Sequence, residues 1–396
     1  MITSAEQMRA YTGPVLFSFG FRPFFLCGAV LAWFAPMLTA LAYSGAIDLR
    51  GFDVNAFHSH EMTYGYLSAV IAGFLLTAVP NWTGRLPVCG WRLAILFLIW
   101  LAGRAAFLMS GQIGPLATAI VDLGFLALLT AFVWREILKG KNWRNVPVGV
   151  LLTLFFLGNI LWHVGRNGVG EPVFGVRFGI AVAAMLIALI GGRIGPSFTR
   201  NWLKKTGRKD LPPTAKPVEL VALGAAAIGL AAWVMAPLSA GTGALLLVAG
   251  VLHSVRLSRW HGWRTFAEPL VTILHVGYLW LPISFFLMGS AALWPALVPQ
   301  SAALHALTAG SIGVMTLAVM TRATRGHTGR ALSADRATFV IYALAILGAA
   351  GRVLAPFAGA QAPVFYVSSA LLWSGAFGLF AVVYGQYLLS SRLVAR

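Results

Sequence analysis

Charge is scarce in this sequence. Of 396 residues only 10% are Asp, Glu, Lys or Arg, against about 25% in an ordinary soluble domain, so a water-soluble fold of this length could not cover its surface. Acidic residues are fewest, with 11 Asp and Glu beside 29 Lys and Arg. Cysteine is rarer still. Cys27 and Cys89 are far apart and lack CxxC spacing, which excludes a disulfide framework. The first twenty residues have no basic start leading into a short apolar run and a small-residue cleavage site, so the first helix is expected to stay in the mature protein. Alternation of polar and apolar residues is missing from runs such as Leu93 to Leu101 and Ala222 to Ala236, which argues against a membrane β-barrel.

Long apolar blocks fill the chain instead. Apolar residues make up 59% of it, and the mean hydropathy is +0.81. Each block runs to roughly 18 to 25 residues, enough to cross a hydrocarbon core about 30 Å thick at about 1.5 Å per helical residue. The pattern predicts an all-α polytopic membrane protein of about twelve transmembrane helices. They begin near Phe21, His60, Trp91, Gly114, Val146, Pro172, Val218, Gly241, Phe266, Ser301, Ala337 and Pro363. Sorted by alternate connections, all of the 29 Lys and Arg but Arg50, Arg104, Arg166, Arg177 and Arg352 fall on the side of the N-terminus. Cytoplasmic loops collect basic residues, so the N-terminus and C-terminus are both expected in the cytoplasm. The same distribution accounts for the net charge of +18 without nucleic acid, which would require a basic patch on a soluble domain. A basic, proline-containing stretch from Phe198 to Pro217 reads as a cytoplasmic linker (198–217) between a first six-helix half (1–197) and a second (218–396). The halves share no convincing sequence similarity.

Eight histidines are the candidates for chemistry. By this topology His58, His60, His163 and His305 lie near extracytoplasmic helix ends, and His275 lies near mid-membrane, about ten residues or 15 Å into its helix. His253 falls in the cytoplasmic half of its helix, and His261 and His327 in cytoplasmic loops. Neutral imidazole survives in a low-dielectric interior and ligates haem iron or copper. Each histidine can equally be explained by a hydrogen bond to a neighbouring helix. In the segment His58-Ser59-His60-Glu61-Met62 an extended backbone would aim both imidazoles at one metal, whereas a helical one would send them apart. Glu61 reads as a first-turn carboxylate. Asp122 alone among the acids reads as deep, with Arg104 as its ion-pair partner. Trp82, Trp91, Trp143, Trp162, Trp260, Trp263 and Trp294 fall near helix ends and read as interfacial anchors.

Four strings make the sequence familiar: FSFGFRPFF (17–25), HSHEMTYGYLSAVIAGFLLTAVPNWTGR (58–85), LHVGYLWL (274–281) and HALTAGSIGVMTLAVMTRATRGHTGR (305–330). They resemble the NnrS family of bacterial membrane proteins, and the resemblance runs from the first helix to the last. It implies a multi-pass protein of the bacterial inner membrane that contains haem and copper and acts in nitric oxide metabolism or nitrosative-stress resistance. Nitric oxide or an iron-nitrosyl species would be its partner, beside the lipid bilayer. The strings carry histidines of the type those metals need. From depth and chemistry, His60, His275 and His305 are the expected ligands, with His58 as an additional metal ligand. Arg50, Arg166, Arg177 and Arg352, on the sparsely charged side, are candidates for pairing haem propionates. A redox role on nitric oxide or nitrosylated iron is one reading, and no motif names a catalytic residue or a redox partner. The adjacent His-His pair and the His-Pro-Glu-Val motif of haem-copper oxidases are absent. The other reading is a membrane transporter of a metal or small molecule, with His58, His60 and Met62 as an extracytoplasmic uptake site.

Overall fold

The structure is a computed structural model that describes residues 11–49, 51–213 and 216–393. Twelve helices among them are long and apolar enough to cross a bilayer. In chain order they are α1 (Phe21–Tyr43), α2 (Val54–Thr83), α3 (Trp91–Leu108), α4 (Pro115–Lys139), α5 (Trp143–Arg166) and α6 (Pro172–Lys205). The rest are α7 (Pro217–Met235), α8 (Ala240–Arg264), α9 (Pro269–Leu293), α10 (Gln300–His327), α11 (Arg336–Phe357) and α12 (Gly359–Leu389). The described residues include no strand. Expected and observed helix starts agree within a few residues except at α2. That helix begins two turns early because Asp53 accepts a hydrogen bond from the Ala56 N–H at 2.9 Å and caps it.

The start of α1 and the end of α12 meet at one face. The Arg22 guanidinium, at the start of α1, donates to the carbonyls of Leu388 at 2.6 Å and Ser390 at 2.8 Å, at the end of α12. These are carbonyls a helix C-terminus leaves unsatisfied, and a cation there also complements the helix dipole. The α1–α12 seam continues inward through Trp373 Nε1, which donates to Ala32 O at 2.9 Å. The face holding these two helix ends is called the near face below, and the opposite one the far face.

The innermost helices are α2 and α10, with 83% and 72% of their spans buried. Tyr66 of α2 and Thr316 of α10 share a hydrogen bond of 2.6 Å between their hydroxyls. Apolar burial gives no driving force between helices in lipid, so such contacts and close backbone packing hold the bundle. The α5–α6 pair shows the second device. A Cβ on Gly175 would lie 2.3 Å from Trp162 N, so only glycine permits this approach. Three spans contain a wide π-helical turn: Glu61–Tyr66 in α2, Ile187–Gly191 in α6 and Ala306–Gly313 in α10. Turns of this kind occur often at functional sites. In α2 and α10 the widened turn starts immediately after a histidine, His60 and His305.

Two expectations about side-chain depth are corrected. Asp122 is not the single deep acid, because Glu61 is also buried within a span; Glu136 is buried too, but in the last turn of α4. With α2 starting at Val54, Glu61 stands two turns inside the helix, where packing and ion pairs decide its position. Trp162 and Trp260 are buried among helices, while Trp91, Trp143, Trp263 and Trp294 are exposed as anchors should be.

Candidate functional site

The α2 backbone is helical through His58 and His60, and the two imidazoles part company. His60 turns into a polar cluster built by α2, α3, α4 and α5. Its Nδ1 lies 2.9 Å from Glu61 Oε1, and its Nε2 lies 3.1 Å from Asn159 Oδ1 and 3.3 Å from Asp122 Oδ2. Asn159 Nδ2 donates to Asp122 Oδ2 at 2.8 Å, and His163 Nε2 donates to the same oxygen at 3.0 Å. Arg104 Nη2 donates to Asp122 Oδ1, the pair expected from the sequence. Arg104 Nε is also 2.7 Å from Glu61 Oε2, a charge contact without an aligned hydrogen bond. Phe107 stacks on the His60 ring at 4.7 Å, and Trp162 lies against it at 4.3 Å.

The charge of this cluster does not balance without a further cation. Glu61 and Asp122 bring two negative charges and Arg104 one positive. Because Asn159 donates its amide to Asp122, its oxygen faces His60 Nε2, and that nitrogen must be a donor; Nδ1, against Glu61, must be one too. A proton shared in this way makes His60 an imidazolium and closes the balance. A metal ion is the alternative. Among the described residues His60, Asp122 and His163 form the one group of three donors whose ligand atoms lie within 4.8 Å of one another. His60 would then keep its Nδ1–H on Glu61 and turn a bare Nε2 to the metal, the carboxylate–histidine–metal pattern.

His58 turns the other way. Its Nδ1 is 3.3 Å from Thr39 Oγ1 on α1, whose own hydrogen goes to Ala35 O at 2.8 Å, so the imidazole is the donor and its Nε2 carries the lone pair. On α10, His305 Nδ1 donates to Ser301 O at 2.8 Å, which again leaves Nε2 as a bare acceptor. Arg352 of α11 meets the same serine, with Nη2 donating to Ser301 Oγ at 2.9 Å and its guanidinium over the Tyr366 ring at 4.8 Å. Its Nη1 is buried without a hydrogen-bond partner. His58, His305 and Arg352 lie within electrostatic range of one another. Both histidines keep some accessible surface inside the protein, so each borders open space.

The other candidates are placed elsewhere. His275 Nε2 donates to Thr199 Oγ1 at 2.7 Å and the ring lies edge-on to Trp260, on the near side of the bundle; its Nδ1 is buried without a partner. None of these contacts touches His58, His60 or His305. His253 is saturated: Nε2 donates to Ala222 O at 2.9 Å, and Nδ1 accepts from Tyr278 Oη at 2.8 Å. Arg166 pairs with Asp53 at 2.7 Å on the far face, and Arg177 reaches Val234 O at 3.4 Å. Arg50 lies outside the described residues. Asn159 and the buried role of Glu61 escaped sequence reasoning. The spacing of four between Asn159 and His163 on an apolar helix was the available signal, since it puts two polar side chains on one face.

None of the curated proteins matches this sequence. The sequence profile of the family described as NnrS protein matches residues 15–392, nearly the whole chain. This multi-pass, all-helical chain therefore belongs to the NnrS family.

Proposed function

We propose that the protein is a haem- and copper-binding protein of the bacterial inner membrane that acts in the nitric oxide response. The observation carrying this reading is the grouping of His58, His305 and Arg352. Two histidines from different helices each have Nδ1 fixed as a donor and Nε2 bare, and a buried guanidinium beside them has an unpartnered N–H. This donor set fits haem: His58 and His305 would hold it through their bare Nε2 atoms, and Arg352 would pair a propionate. Copper fits the other set, His60, His163 and Asp122, with Glu61 and Arg104 orienting His60. This reading assigns His60 to copper and leaves His275 outside both sets.

Haem iron would supply a binding centre for nitric oxide or an exchange centre for nitrosylated iron. The chain itself provides a small cavity suited to a neutral gas. An almost wholly apolar cavity of about 80 Å³ lies between α2, α6 and α10, walled by residues such as Ile71, Ile187, Ile312 and Met315. Apolar cavities of this kind stay dry and hold apolar guests.

Absorption spectra and metal analysis of the detergent-purified protein test the proposal. A stoichiometric Soret band is expected, lost in His58→Ala and His305→Ala. His163→Ala should keep haem and lose copper, and His275→Ala should keep both. A colourless wild-type protein that takes metal into vesicles would favour the transporter reading instead.

A further inference from the structure

On the near side of the bundle a second cavity, of about 630 Å³, opens between α2, α5, α6 and α10. It lies apart from both histidine sets of the proposed metal sites. Its deeper wall is apolar, from Phe74, Ile190, Ile194, Leu274 and Val319. Its rim carries three guanidinium groups, Arg144, Arg193 and Arg322, and no carboxylate lines it. Each side of this arrangement excludes something. A free small anion would leave most of the apolar space unfilled, and a neutral apolar guest would leave three cations facing it.

Two of the arginines are held in place by neutral partners. Arg193 Nη1 donates to Asn145 Oδ1 at 2.9 Å, and the Arg322 guanidinium stacks on the Phe198 ring at 4.0 Å. Among the described residues none of the three forms an ion pair. Glu268 is within electrostatic range of Arg322, but its Oε1 accepts from Leu270 N instead. Two other arginines of this bundle, Arg104 and Arg256, are matched by carboxylates, Asp122 and Glu219. The three arginines at this cavity leave their charge free for an anionic ligand. Asn81 and Asn142 add amide donors at the same rim.

The geometry points to a binding site for an amphipathic phosphate, with the phosphate at Arg144, Arg193 and Arg322 and an acyl chain against Phe74, Ile194 and Val319. Arg–phosphate contacts are charge-assisted and geometrically specific, and a preformed rim loses little on binding. The bilayer supplies such molecules as anionic lipids, while inorganic phosphate shares only the head chemistry.

Native mass spectrometry of the full-length protein tests this with dioleoylphosphatidylglycerol, dioleoylphosphatidylcholine and inorganic phosphate as probes. One phosphatidylglycerol should bind at least about tenfold more tightly than phosphatidylcholine, a preference worth about 1.4 kcal/mol. Inorganic phosphate should not displace it. The preference should disappear in Arg193→Gln/Arg322→Gln and persist in Arg208→Gln, which alters an exposed loop on the same face. Val319→Trp fills the tail region with the arginines intact and should weaken binding similarly, which keeps the test open where the double variant does not fold. Equal affinity for the two lipids, an unchanged preference in the double variant or in Val319→Trp, or displacement by inorganic phosphate would overturn the proposal. Loss of haem from the folded double variant would overturn it as well, by giving the cavity to haem.

Discussion

Replacing Arg104 by methionine takes one positive charge out of a buried group in which Glu61, Asp122 and His60 remain. The guanidinium touches both carboxylates and is itself almost wholly enclosed. A pair of unit charges about 4 Å apart interacts by about 4 kcal/mol at an effective dielectric of 20, and stranding one buried charge costs about 3–5 kcal/mol. Arg104→Met should therefore destabilise by about that much. Asp122→Asn should also destabilise, since Asp122 holds Arg104, Asn159 and His163 together. The double variant is expected to cost less than the sum of the two. It leaves Glu61 against His60 at 2.9 Å, a balanced pair, so the coupling energy should be on the order of 2 kcal/mol in the restoring direction. Unfolding titrations in mixed micelles measure all four proteins. Additive losses, with coupling below about 0.5 kcal/mol, would refute the charge balance argued above.

Four further outcomes are expected. Arg22→Gln removes a cation from the α12 carbonyls and should cost about 1–3 kcal/mol, read as a lower melting temperature with earlier proteolysis at the C-terminal end; unchanged melting would oppose the staple. Gly175→Leu places a side chain against the Trp162 backbone and should sharply reduce folded yield, while Gly224→Leu, where a Cβ meets open space, should not. The His58→Ala and His305→Ala variants should lose the Soret band together, and retention of haem in either would break the proposed pair. Cysteines introduced at Lys204 and Lys205 should be protected from impermeant reagents in intact cells, and labelling from outside would reverse the orientation argued from basic residues.

The Arg104–Asp122 pair could be read from the sequence because two charges in adjacent apolar helices have few alternatives in lipid. The rest of their cluster could not. Glu61 passed for a first-turn acid because the Asp53 cap, which starts α2 at Val54, depends on a single local hydrogen bond. His163 was passed over although its residue type was right, since nothing in a one-dimensional pattern brings α5 to face α2 and α4. The same gap separates His275 from His305. Both are histidines at plausible depths, and only packing shows that one meets Thr199 while the other meets Ser301 beside Arg352.

The sequence by itself determined the twelve spans and most of their ends, since a span needs only length and hydropathy to match a hydrocarbon layer about 30 Å thick. It also set the strongest markers of family. Which side chains meet was decided by the tertiary structure alone. A helix that is apolar all round does not reveal which face turns inward. The rotations of α2, α5, α10 and α11 were fixed instead by glycine contacts, π turns and ion pairs between residues far apart in the chain. Those rotations send His60 to Asp122 and His163, and bring His58, His305 and Arg352 together.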